Sequence, residues 1–323
     1  MDHGKALMTA NPLNVVFCGT PQFAVPTLEA LLAAGHGIPL VVSQPDRPVG
    51  RDRQLTAPPV KQAALAAGLA VTQPEKIKNN AEFRARLEAI APDVIVVVAY
   101  GRIVPTWMLA LPRLGCINLH GSLLPKYRGA APIQWAVAMG EAETGNTTML
   151  LEEGLDTGPI LLQQTVAIGP TQTAGELFHI LAQKGAPLVL ETLDGLASGT
   201  IQPQPQNHAL ATLAPILDRE DGRIDFAART AHEVFNRWRG FQPWPGAFTT
   251  LNGKKLIVHC MAVAESYAAA EPGRVRLDGQ RIFAACAANS WIEFIEVQLE
   301  GKKHITAAEF LRGNQIAAGA RLG

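Results

Sequence analysis

Val94-Ile95-Val96-Val97-Val98 is an apolar run with no polar alternation. A strand equally hydrophobic on both faces must be covered on both, as in the middle of a parallel sheet flanked by helices. Its neighbours along the chain fit that frame. Val15 to Cys18, Leu40 to Val42 and Cys116 to His120 read as further strands. Thr27 to Ala34, Pro59 to Ala67 and Ala81 to Ala91 read as helices closed by glycine or proline. From Leu13 to about Leu196 the order is that of βαβ units, which predicts an α/β fold with a Rossmann-like, mainly parallel sheet.

The proline- and glutamine-rich stretch Gln202 to Asn207 breaks this pattern and predicts a linker over about 201–216. Beyond it, a helical segment (Thr230 to Arg239) precedes strand-like runs at Leu256 to Val258, Arg281 to Ala285 and Trp291 to Val297, with glycines at the bends. A small OB-like β-barrel is expected there. The division is therefore an extension over 1–12, a first domain over 13–200, the linker, and a second domain over 217–323. With 323 residues, both domains can bury a core without staples. No apolar run reaches the length needed to cross a bilayer, so no membrane association is expected. Balanced charge, 28 basic against 28 acidic residues, leaves any nucleic-acid partner to local patches. Cys18, Cys116, Cys260 and Cys286 form no Cys-x-x-Cys pair, which fits a reducing cytoplasm.

Chemistry concentrates in Cys116 to Pro125. The two-residue period of a strand puts Asn118 and His120 on one face and Ile117 and Leu119 on the other. Gly121 ends the strand at its carboxyl end, where open α/β sheets bind ligands. An amide can donate to a developing oxyanion and an imidazole can shuttle a proton, although a strand end could use the same side chains to satisfy backbone groups. Asp156, in the turn-rich Gly154-Leu155-Asp156-Thr157-Gly158, could orient the imidazole or merely form a turn. The loop from Gln44 to Leu55 carries Arg47, Arg51 and Arg53, either as a phosphate clamp or as a solvated surface. Several alternatives fail on spacing. Gly19 to Ala24 holds one glycine where a dinucleotide fingerprint needs three. There is no Walker loop, no Gly-x-Ser-x-Gly elbow around Ser122 and no paired metal-binding histidines, so no metal is expected. Asn146-Thr147-Thr148 matches a glycosylation triplet but is disregarded without a signal sequence.

Taken together, Asn118 to Pro125, Tyr127 to Trp135 and Gly154 to Gly158 resemble the signature of 10-formyltetrahydrofolate-dependent formyltransferases. Pro45 to Arg51, Val97 to Gly101 and Arg239 to Gly246 place the similarity in the branch acting on methionyl-tRNA. The resemblance runs from about Asn14 to the C-terminus. It implies Asn118, His120 and Asp156 as the catalytic trio. It also implies 10-formyltetrahydrofolate as co-substrate, held by Val97, Val98, Ala99 and Tyr100 and by Ser122, Leu123, Leu124 and Pro125. Initiator methionyl-tRNA would be the acceptor, met by Arg47, Arg51 and Arg53 and by the second domain, in a cytoplasmic, monomeric translation-initiation enzyme. The departures, Gln242, Asn146 and Leu150-Leu151, touch docking and packing rather than the trio. The alternatives are the same transfer to an amino sugar, glycinamide ribonucleotide or water, and an RNA-binding protein without catalysis.

Overall fold

The computed structural model describes residues 12–50, 53–265, 267–317 and 319–323. Most of the expected extension and Arg51 lie outside the described residues. Two compact units emerge. One runs to Pro132 and takes in Glu143–Ala167 and Phe178–Pro215; the other takes Ile133–Ala142, Ile168–Leu177 and Ile216–Gly323.

In chain order the elements up to residue 198 are β1 (Asn14–Gly19), α1 (Val25–Ala33), β2 (Gly37–Val42), β3 (Arg47–Val49), β4 (Gln54–Thr56) and α2 (Pro59–Ala66). Then follow β5 (Val71–Thr72), α3 (Ala81–Ile90), β6 (Val94–Val98), α4 (Thr106–Leu109), β7 (Cys116–His120), α5 (Pro132–Ala138), β8 (Glu143–Leu150), β9 (Ile160–Ala167) and α6 (Ala174–Ser198). Seven strands form one sheet in the order β5-β2-β1-β6-β7-β8-β9. The pairs from β5 to β7 are parallel, and β8 and β9 close that side antiparallel. The unalternating valine run is indeed central, with every residue of β6 buried between β1 and β7.

One face of this sheet carries Val16, Cys18, Leu40, Val42, Ile95, Val97 and Cys116, packed with Phe83 and Leu87 of α3 and Met108 of α4. Asn118 and His120 continue that face past the end of the apolar cluster, following the strand's period. Leu119 points the other way, towards Gly185 of α6. A Cβ at Gly185 would lie 2.6 Å from the Leu119 side chain, so glycine lets the helix press directly on β7. The region Gln44 to Leu55, read as a loop, is instead a small hairpin in which Arg47 pairs with Thr56 and Val49 with Gln54. Pro48 and the absence of apolar alternation hid it from a period-based reading.

The second unit contains α7 (Ala231–Gly240), β10 (Phe248–Leu251), β11 (Lys254–Val263), β12 (Val275–Asp278), β13 (Arg281–Ala285), β14 (Trp291–Leu299), β15 (Ile305–Thr306) and α8 (Ala307–Gly313). The strands make an antiparallel half-barrel, β10-β11-β14-β13-β12, with β15 added on β14. A register shift in β11 between Val258 and Met261 gives the local bend that curls such a sheet. Its core gathers Val234, Met261, Ile282, Ile292, Phe294 and Phe310. α7 opens on a reciprocal capping box between Thr230 and Glu233. Among the described residues no helix is long and apolar enough to cross a membrane.

Because Ile95 sits fully buried in the central strand, Ile95→Ala should cost about 2–5 kcal/mol, read as a lowered urea midpoint with an unchanged slope.

Candidate active site

His120 ends β7 with its side chain almost wholly enclosed. Its Nε2 lies 2.9 Å from the Tyr127 carbonyl. A carbonyl only accepts, so Nε2 carries the proton and the neutral ring keeps its lone pair on Nδ1. That second nitrogen faces Asp156, 3.7 Å from Oδ2. The separation suits a charge pair but exceeds a hydrogen bond. The ring is thus held by the Tyr127 carbonyl on one side and faces the Asp156 carboxylate on the other. The carboxylate has its own support, since the Gly129 N–H donates to Oδ2 at 2.8 Å. Tyr127 and Asp156 both have positive φ, 60° and 51°, a conformation that non-glycine residues adopt at some cost.

Asn118 lies two residues before His120 on the same face, about 6.5 Å away along an extended strand. It is half-buried, registered between Val97 of β6 and Met149 of β8, and among the described residues no hydrogen bond occupies its amide. The edge thus presents a free amide, an imidazole nitrogen with an open lone pair, and a carboxylate.

The loop after β7 is held tightly. Ser122 Oγ, fully buried, donates to the Lys126 carbonyl at 2.6 Å and so serves loop closure. Thr147 of β8 donates to the Ser122 carbonyl at 2.7 Å and accepts from the Leu124 N–H at 3.1 Å. Gln163 of β9 donates to the Leu124 carbonyl and to Thr147 Oγ1, both at 2.9 Å. Leu124 is buried, and Leu123 and Pro125 are half-buried. Cys116, on the same strand as Asn118, is no nucleophile, because burial pushes its thiol up to about 12.

At the end of β6, Val97 and Val98 are buried in the sheet and Tyr100 is buried just beyond, while Ala99 between them is exposed with φ 46°. The Tyr100 carbonyl accepts from Thr20 Oγ1 at 3.0 Å and Gln44 Nε2 at 3.2 Å. Only Ala99 and the local backbone face outward here. Arg47 and Arg53 are exposed on the small hairpin. Its base is fixed by Asp46, which pairs with Lys61 at 2.8 Å and accepts from Gln73 at 2.7 Å. Hydrogen bonds from Lys61 and then Gln73 hold that carboxyl below its ordinary range. Among the described residues no group of three or more His, Cys, Asp or Glu could hold a metal ion.

Sequence reasoning did not assign roles to the Tyr127 carbonyl, the Gly129 N–H, Thr147 or Gln163. Backbone groups act without any residue-type signal. Thr147 and Gln163 sit in polar strands whose apolar period is too weak to mark them.

A parallel sheet with an amide, an imidazole and a carboxylate at its carboxyl edge, followed by a half-barrel, is the build of a formyl transferase, and the chain belongs to that family. Residues 13–193 match Formyl transferase, and residues 216–315 match Formyl transferase, C-terminal domain. The methionyl-tRNA formyltransferase of Acidobacterium capsulatum is 67% identical over 311 residues, 96% of this chain and all of that one. That of Koribacter versatilis is 57% identical over 96% of this chain and 98% of its own. Among solved structures, the sugar 3N-formyl transferase WlaRD is 17% identical with a TM-score of 0.64, covering 91% of this chain and 100% of that chain. HypX from Aquifex aeolicus in complex with tetrahydrofolic acid is 16% identical with a TM-score of 0.62, over 96% of this chain and 51% of that chain. At such identities these two likenesses concern the fold.

Thr147→Val keeps the shape but strands the Ser122 carbonyl and the Leu124 N–H, so it should cost about 1–3 kcal/mol per unpaired group. Amide hydrogen exchange at Leu124 should accelerate together with the fall in urea midpoint.

Proposed function

We propose that this chain transfers a formyl group from 10-formyltetrahydrofolate to the α-amino group of methionine carried on initiator tRNA. The observation that carries the chemistry is the commitment of His120 Nε2 to the Tyr127 carbonyl, which leaves Nδ1 as a base beside Asp156. The choice of acceptor is supported by the near full-length likeness to methionyl-tRNA formyltransferases, which spans both domains.

The reaction needs no stored acyl group. α-Amino groups titrate at about 7.7–8.0, and an esterified one no higher, so a useful fraction is nucleophilic at neutral pH. The amine nitrogen bonds to the formyl carbon, and the formyl oxygen becomes an oxyanion that the Asn118 amide receives. His120 Nδ1 takes the proton from the attacking nitrogen, and the imidazolium so formed faces the Asp156 carboxylate. Collapse breaks the bond to the folate nitrogen, which receives the proton back. The products are formylmethionyl-tRNA and tetrahydrofolate.

On this reading the folate lies along the carboxyl edge between the end of β6 and the Ser122–Pro125 loop. Buried Val97, Val98 and Tyr100 contribute through backbone groups and packing, and Ala99 through its exposed side. Arg47, Arg51 and Arg53 meet the acceptor end of the tRNA, and the half-barrel domain holds more of its backbone. The enzyme works as a monomer in the cytoplasm, where its described cysteines stay free.

Removing the oxyanion donor in Asn118→Ala should lower kcat by about a hundredfold or more, corresponding to roughly 2.7–4 kcal/mol, with tRNA affinity nearly unchanged. Steady-state formylation with charged initiator tRNA checks this, and an undiminished kcat contradicts the role. Arg51→Ala should do the reverse, raising KM for the charged tRNA while leaving KM for the folate within about twofold. A parallel rise in both constants counts against a tRNA-reading hairpin.

A further inference from the structure

A buried charge lies behind the carboxylate. Arg128 is 7% exposed, and among the described residues no carboxylate pairs with it. Arginine is seldom enclosed without an anionic partner, because desolvating the cation is costly. Its guanidinium instead donates from Nε and Nη2 to Gln206 Oε1, at 3.1 and 2.6 Å, and from Nη2 to His208 Nδ1 at 3.1 Å. Gln206 is 6% exposed and turns its other end the opposite way, with Nε2 donating to the carbonyls of Asp156 at 2.9 Å and Gly158 at 2.7 Å. One amide thus uses both donors and both acceptor sites, spanning from a buried cation to the backbone on either side of Thr157.

That backbone needs holding. Asp156 has a left-handed φ of 51°, and a Cβ on Gly158 would run into the Leu150 carbonyl, so the turn is tightly packed and needs glycine at 158. The stretch that delivers Arg128 also aims the trio, because the Tyr127 carbonyl fixes His120 and the Gly129 N–H fixes the Asp156 carboxylate. Residues read as linker run alongside it. Tyr127 N–H donates to Thr212 Oγ1, Arg128 N–H to the Thr212 carbonyl and Ala214 N–H to the Arg128 carbonyl, at 2.8, 2.9 and 2.7 Å. Gly129, with φ 124°, leaves room for the Ala214 carbonyl, which a Cβ would approach at 2.6 Å.

We infer that Gln206, with Arg128 behind it, is a positioning residue for the reaction, setting through two backbone carbonyls where the Asp156 carboxylate stands relative to His120. The inference rests on the reading of Asp156 given under Proposed function. It makes a residue of the expected linker part of the catalytic apparatus without contact with substrate. Small displacements of a catalytic group are enough to slow chemistry strongly while binding is kept.

Gln206→Glu isolates the claim, since it keeps an oxygen for Arg128 and the length of the side chain but removes both donors to the turn. The variant should lose about tenfold or more in kcat, with KM for folate and for charged tRNA within about threefold. Combined with Asp156→Asn, it should add nothing, the double variant turning over as fast as Asp156→Asn alone. Arg128→Lys, which keeps the charge and loses the two-pronged hold, enters the same cycle if Gln206→Glu does not fold. A Gln206→Glu enzyme with full kcat, losses that multiply in the double variant, or a loss confined to KM overturns the inference while leaving Asp156 its role. Full activity in Asp156→Asn itself overturns the site reading and this inference with it.

Discussion

One hydrogen bond organises the site: the imidazole of His120 gives its Nε2 proton to the carbonyl of Tyr127. Because a carbonyl has nothing to donate, the tautomer is chosen by the backbone, and the nitrogen that keeps its lone pair is the one that faces Asp156. That choice holds only if Tyr127 stays in its left-handed conformation and the loop from Ser122 to Lys126 stays closed. The Ser122 hydroxyl, Thr147 and Gln163 serve that closure. The placement of the ring is therefore supported by neutral polar contacts spread over β8, β9 and the segment near Thr212.

The electrostatics divide by depth. On the apolar side of the parallel sheet, burial raises the thiols of Cys18 and Cys116 and leaves them inert. At the carboxyl edge the same strand delivers Asn118 and His120, so one residue period separates packing from chemistry. Arg47 and Arg53 are exposed on a short two-stranded sheet beside the Asp46–Lys61 pair.

Much of this was legible in the residues alone. The unbroken valines of β6 announced a central parallel strand, and the alternation Ile117, Asn118, Leu119, His120 announced which side chains share a face, because both patterns follow directly from the geometry of a pleated strand. The motifs around Asn118, Tyr127 and Asp156 pointed to the family. What stayed hidden was the work of the main chain and of polar interiors. Thr144, Asn146, Thr147 and Thr148 are buried in β8, where an apolar period would have been sought in vain. Gln206 sits among prolines and glutamines that resemble a tether, yet its side chain is enclosed. The strand, turn and linker that meet at Asp156 are far apart in sequence, and only the fold shows that they share a hydrogen-bond network.

The approach of α6 to β7 carries a kinetic corollary. With Gly185 drawn against Leu119, α6 covers the reverse side of the strand there, so on the proposed reading donor and acceptor both arrive at the side bearing Asn118 and His120. The Ser122 hydroxyl and the Cys116 thiol are both buried, and burial keeps the thiol protonated. On the proposed reading the two substrates are then resident together, which calls for a ternary complex instead of a ping-pong exchange.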